Sequence, residues 1–161
     1  MSVLIFVENW DGKFKKLSFE LISYGSKLAE MLGTEVTALS IGNVDAIELE
    51  KLGKYGAAHV ISVPGEQLNS FDSQAYTRVI SGFAKKTEAL VVILSNNNTG
   101  KAIAPRLSVR LHAGLGAGVS KLPQSINPFI VYKKVYSGNA FSNTAIKTDV
   151  KILTLAQNSF D

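Results

Sequence analysis

The sequence predicts an α/β fold. The expectation is a three-layer domain with a mainly parallel central sheet, helices on both faces, and antiparallel strands at the C-terminal end. Three observations carry this. Short apolar runs alternate with helical patterns through residue 94, which implies right-handed crossovers between parallel strands. The runs at 3–8 and 89–94 are almost unbroken by polar residues, as in strands covered on both faces. After residue 128 the strand-like segments are joined by links too short for a crossover helix, so they are expected to pair antiparallel.

The elements follow in order. Residues 3–8 form a strand, and Asp11-Gly12 marks a turn. From Ser18 to Leu32, Leu21, Tyr24, Leu28 and Leu32 fall on one helical stripe. Ser18 is expected to cap the start, and Gly33 to supply the left-handed residue at the end. Residues 35–41 form a strand. Residues 44–53 form a short helix with Val44, Ile47 and Leu52 inward. Residues 58–63 form a strand that stops before Pro64-Gly65. Asp72 caps a helix through Lys86 with Tyr76, Val79 and Phe83 inward. Ala89 to Leu94 is the most apolar strand and is expected to lie centrally. Residues 129–135, 140–146 and 150–155 are strand-like, with Ser137-Gly138 and Lys147-Thr148-Asp149 as turn signals.

Composition agrees with a single domain spanning 1–161. A chain of this length can bury roughly two-thirds of its unfolded surface. Hydrophobic residues make up 46% and charged residues 19%, which argues against disorder. There is no cysteine, which excludes a disulfide framework, a thiol nucleophile and a Cys-ligated cluster. Met1 leads straight into a strand pattern without a basic segment before a long apolar run, so a cytoplasmic protein is expected, with no direct membrane insertion.

The net charge of +4 is uneven: residues 1–100 hold nine basic and eleven acidic side chains, and residues 101–161 hold eight basic and two acidic. Lys121, Lys133, Lys134, Lys147 and Lys151 lie in strand-like segments rather than in one dense run with interleaved aromatics. They are expected to protect solvated strand edges, and no nucleic-acid partner is expected.

Three constellations bear on chemistry. Ser95-Asn96-Asn97-Asn98-Thr99-Gly100-Lys101 lies directly after the central strand and before a helix, where open α/β sheets bind ligands. Ser95, Asn98, Thr99, Gly100 and Lys101 are therefore the candidate cofactor-binding residues, with the helix N-terminus facing a phosphate. A P-loop would need Gly at 95 and Ser or Thr at 102, and this chain has Ser95 and Ala102. The plainer reading is that the asparagines satisfy turn and cap hydrogen bonds. Gly114-Leu115-Gly116-Ala117-Gly118 has G-x-G-x-G spacing and follows a helix, where a dinucleotide fingerprint follows a strand. Finally, no catalytic or metal-ligating set is present. His59 and His112 are the two histidines and are not spaced as ligands. Arg106 and Arg110 lie one helical turn apart, opposite Ile103 and Leu107, and Pro105 is expected to tighten or kink that helix.

Several short segments, taken in order, carry a resemblance. These are Val3 to Glu8, Glu35 to Leu39, Lys54-Tyr55-Gly56-Ala57, Gly100-Lys101, Ala104-Pro105-Arg106-Leu107 and Arg110-Leu111. They continue with Val135-Tyr136-Ser137-Gly138-Asn139-Ala140, Ile152 to Leu155 and Phe160-Asp161. Together they resemble the N-terminal domain of the α subunit of electron transfer flavoprotein. One departure is Gly118, where family members often carry an acidic residue. The resemblance implies a nucleotide-binding-like fold of the adenine nucleotide α hydrolase type and an electron-carrier subunit rather than an enzyme. It also implies a heterodimer with an electron transfer flavoprotein β subunit. On this resemblance FAD would belong to the full assembly and be held by a second domain after Asp161, so this chain alone is expected to bind none. Electrons would arrive from flavin dehydrogenases and leave toward a quinone oxidoreductase. The alternative is a stand-alone adenine-nucleotide-binding module resembling universal stress proteins, with AMP or ATP at the 95–101 loop. It is weakened by the lack of the paired Gly-rich phosphate loop of those proteins.

Overall fold

The computed structural model describes residues 1–135 and 140–160. Its elements are β1 (Ser2–Phe6), α1 (Lys16–Leu32), β2 (Glu35–Ile41), α2 (Ala46–Lys54), β3 (His59–Val63), α3 (Ser73–Lys86) and β4 (Ala89–Ser95). Then come α4 (Asn98–Leu111), β5 (Gly114–Val119), β6 (Ser125–Ile126), β7 (Phe129–Val135), β8 (Ala140–Ala145) and β9 (Lys151–Leu155). The expected α/β class holds: the strands join in the order β3-β2-β1-β4-β9-β5-β7-β6, with β8 paired to β7. All pairings from β3 to β5 are parallel, and those of β7 with β5, β6 and β8 are antiparallel.

The period-two alternation of each strand splits the core into two layers. Val3, Ile5, Val91 and Ile93 pack with Leu21, Ile22, Tyr24 and Leu28 of α1 and Leu52 of α2. Leu4, Phe6, Val92 and Leu94 pack on the opposite face with Tyr76 and Ile80 of α3 and Ile103 and Leu107 of α4. Val3 to Val7 are each at most 3% exposed. At roughly 1.5–3 kcal/mol per fully buried aliphatic side chain, this strand anchors both layers. That is why its sequence runs continuously apolar instead of alternating.

Most helix ends follow the expected chemistry. Asp72 caps α3 by accepting the Gln74 and Ala75 N–H groups at 3.0 and 3.1 Å. Gly33 closes α1 at φ 70°. Ser18 is a correction. Helix α1 begins two residues earlier, at Lys16, and Ser18 lies inside its first turn. Its Oγ accepts the Lys15 N–H at 3.1 Å and donates to the Glu8 carbonyl at 3.0 Å. It thus closes the helix start from within, because a hydroxyl three positions in can reach back to the capping residue. Ile47 is a second correction: it is 77% exposed. Helix α2 is only nine residues long and buries Glu48 and Leu52. The Glu48 carboxylate accepts the Phe14 N–H at 2.7 Å and pairs with Lys51 at 2.9 Å. This polar anchor turns the inward face away from Ile47.

The last third departs most from expectation. β9 does not pair antiparallel with β8. It inserts between β4 and β5 and runs parallel to both. The insertion depends on residues 146–150 passing the start of β5. Ile146 fits against Gly114 and Gly116, where an added Cβ would lie 2.7 and 3.1 Å from its side chain, and Thr148 Oγ1 accepts the Gly114 N–H at 2.8 Å. Pairing the last strand centrally buries Ile152, Leu153 and Leu155 completely, which a hairpin on β8 would not do. Consequently Lys151 does not guard an edge, and its Nζ lies 5.3 Å from the Phe129 ring centre. Lys133 pairs on both sides, with Val119 of β5 and Ser142 of β8. The expected turn at Ser137-Gly138 lies outside the described residues.

Candidate functional site

The order of strands reverses between β1 and β4. The chain builds β1, β2 and β3 in one direction and then places β4 on the other side of β1. A crevice therefore opens outside the carboxyl ends of these two strands. Glu8 follows β1 and Asn97 follows β4. Asn97 Nδ2 donates to Glu8 Oε1 at 2.6 Å across the gap. The Thr99 side chain also hydrogen-bonds Glu8. Burial pushes the Glu8 carboxyl above its ordinary range, and the bonds from Asn97 and Thr99 oppose this without cancelling it.

Asn97 is also the cap of α4: its Oδ1 accepts the Gly100 N–H at 2.9 Å. Gly100 packs directly on the end of β4, and a Cβ there would lie 1.6 Å from the Ser95 carbonyl oxygen. Glycine is thus required by contact rather than by an unusual φ. Beside it, Asn96 ties three strand ends together. Its N–H reaches the Leu155 carbonyl at 2.9 Å. Its Oδ1 accepts from Thr154 Oγ1 at 3.0 Å, and Thr154 Oγ1 accepts the Gly118 N–H at 2.9 Å.

The candidate residues separate in space. Ser95 is buried at the end of β4, and its hydroxyl has no hydrogen-bond partner. Thr99 lines a cavity of about 210 Å³ with Glu8, Asn9, Trp10, Asn69 and Tyr76 among its walls. Gly100 is buried against Ser95. Asn98 and Lys101 are exposed and do not line that cavity. Much of the polar lining already has partners: Asn9 Nδ2 donates to the Ile41 carbonyl and Asn69 Oδ1 accepts the Asn43 N–H. Sequence reasoning missed Glu8 and Thr154. Glu8 had a usable signal, being the charged residue that ends the first strand run, beside the central strand. Thr154 had none, because the position of β9 is set by tertiary pairing.

This donor set does not fit a flavin pyrophosphate. A carboxylate faces the N-terminal end of α4, where an anion would sit, and Asn97 already takes the Gly100 N–H. Elsewhere, His59 Nε2 lies 3.0 Å from Glu35 Oε2, both side chains exposed on the neighbouring strands β3 and β2. Among the described residues, no group of three or more His, Cys, Asp or Glu could hold a metal ion. No described helix is long and apolar enough to cross a membrane. Pro105 does not break α4, which is continuous from Asn98 to Leu111.

Crossover helices on both faces and a reversal of strand order define a doubly wound α/β domain. The chain belongs to the electron transfer flavoprotein domain family, which matches residues 3–161. It is similar to the acryloyl-CoA reductase electron transfer subunit beta of Anaerotignum propionicum, with 27% identity over 98% of this chain and 43% of that protein. It is also similar to protein FixB of Clostridium saccharobutylicum, with 28% identity over 89% of this chain and 43% of that protein. Electron transfer flavoprotein subunit alpha of Megasphaera elsdenii is 30% identical over 74% of this chain and 36% of that protein. The chain spans less than half the length of these curated relatives. Their names include both alpha and beta subunits, and one is a subunit of a named reductase. The family consists of flavoproteins that carry electrons.

Proposed function

We propose that this chain is the first domain of an electron transfer flavoprotein α subunit and works in the cytoplasm as the scaffold of a heterodimeric carrier. Its partner is the β subunit, and FAD is held by a domain outside these residues. The assembly passes electrons from flavin dehydrogenases to a quinone oxidoreductase. The chain's own residues position and support; the flavin supplies the electron chemistry when it is bound in the assembly.

One observation carries the scaffold reading. The crevice at the strand-order reversal is bridged by the protein's own groups, through the Glu8–Asn97 bond and the Asn97 cap on Gly100. A helix N-terminus adds about 0.3–1 kcal/mol toward an exposed anion, whereas micromolar binding needs about 8 kcal/mol. The loop alone does not reach that figure. The reading is tested by co-expressing a full-length α chain carrying this domain with the cognate β subunit, followed by gel filtration. Comigration is expected; separate elution of the two chains would sink the proposal.

A further inference from the structure

We infer that the groove between α3 and α4 is a docking surface for an acidic amphipathic helix of a partner protein. The two layers of helices differ sharply in charge. Helices α1 and α2 mix Lys16, Lys27, Lys51 and Lys54 with Glu20, Glu30, Glu48 and Glu50. Helices α3 and α4 carry Arg78, Lys85, Lys86, Lys101, Arg106 and Arg110 and no acidic residue at all. Between them lies an open groove of about 680 Å³, walled by Gln74 and Arg78 from α3 and by Pro105, Arg106, Val109 and Arg110 from α4. No described carboxylate lies within ion-pair reach of the three arginines.

The spacing decides the occupant. Arg106 and Arg110 form one i,i+4 stripe on α4, and Pro105 and Val109 form the neighbouring stripe. Val109 is 78% exposed, so an apolar ridge stands among three guanidiniums. A helix with carboxylates one turn apart flanking an apolar side chain matches both features. Guanidinium forks take carboxylates bidentately, and arginine beside apolar contact is the composition of protein interfaces. A free polyphosphate would make no use of the Pro105–Val109 ridge. A flat anionic membrane would not fill a groove between two helices.

The test uses the full chain and a synthetic helical peptide with glutamates one turn apart on either side of a leucine stripe. The same peptide with glutamine for glutamate, sodium tripolyphosphate and phosphatidylglycerol vesicles serve as competitors of other chemistry. The glutamate peptide is expected to bind, with an affinity that falls with salt. The variant combining Arg78→Gln, Arg106→Gln and Arg110→Gln should weaken binding by roughly tenfold or more, and Val109→Ser should weaken it by several-fold. These side chains face solvent, so circular dichroism should show the fold intact. The variant combining Lys85→Gln and Lys86→Gln, outside the groove, should bind like wild type. Equal loss in the lysine variant would mean diffuse charge attraction and overturn the inference. So would failure of the glutamate peptide to bind, or equal binding by the glutamine peptide. Tighter binding of tripolyphosphate or vesicles would reassign the surface to phosphate groups.

Discussion

Asn97 Nδ2 donates to Glu8 Oε1 at 2.6 Å and so closes the gap between the ends of β1 and β4. One residue thereby does two things, because the Asn97 Oδ1 also caps α4. The arrangement places a half-buried carboxylate where α/β domains commonly receive an anionic ligand. Its electrostatic consequence is measurable. Burial holds the folded-state pKa of Glu8 above its ordinary value of 4.5. Between these two values the native state binds the proton more readily than the unfolded chain, so wild-type stability falls as pH rises through that window. Glu8→Gln keeps the acceptor for Asn97 and removes the charge. The variant should have a higher Tm than wild type at pH 7, with the gain disappearing below pH 4.5. Thermal melts from pH 3 to 8 would show this, and a variant less stable than wild type at pH 7 would contradict it.

The Gly100 contact predicts a steep steric penalty. In Gly100→Ala the new methyl would sit 1.6 Å from the Ser95 carbonyl oxygen, and neither backbone can yield without moving the end of the central strand. We expect a loss of about 3 kcal/mol or more, at the upper end for overpacking, measured by urea denaturation. Gly53→Ala, where an added Cβ meets nothing within 4 Å, is the control and should be stable or slightly stabilised, since alanine is the better helix former.

Glu20 holds the final described residues. Its two carboxylate oxygens accept the Asn158 and Phe160 N–H groups, each at 3.1 Å, while the Phe160 ring meets Tyr24 edge-on at 5.4 Å. Glu20→Ala should release this segment at a cost of about 1.5–3 kcal/mol, the range for hydrogen bonds to a charged group. Hydrogen exchange is the sharper readout: amides 158 and 160 should lose protection while those of β9 keep theirs. Unchanged exchange at 158 and 160 would show that the carboxylate is not what secures them.

The proposed scaffold role makes a spectroscopic prediction. The purified chain should show no flavin absorbance band, and calorimetry with AMP and ATP should detect no micromolar binding. A stoichiometric flavin band, lost on Asn98→Ala and Lys101→Ala substitution, would move the cofactor site into this domain. Nucleotide binding with colourless protein would favour the stand-alone adenine-nucleotide module instead.

Local chemistry made much of the molecule readable from its residues. The Val3–Val7 run, the α1 stripe through Leu21, Tyr24 and Leu28, the Asp72 cap and the Gly33 terminus each follow from side-chain type and nearest neighbours in sequence. The junction after β4 was legible as a turn at the end of a central strand, and helix capping by an asparagine is what Asn97 performs, whereas residues 98–101 already belong to α4. What only the tertiary structure decided depends on partners distant along the chain. The place of β9 is set by Gly114 and Gly116 admitting Ile146, and by the burial of Leu153 and Leu155 beside β4. No local pattern distinguishes that insertion from a hairpin. Ile47 faces solvent because Glu48 finds the Phe14 N–H, a contact spanning 34 residues. Glu8 becomes part of the crevice only because strand order reverses beside it, bringing residues 89 positions apart into one hydrogen bond. Sequence fixes the elements through short-range sterics and periodicity, whereas pairing between remote segments is a competition for buried area that only the assembled sheet resolves.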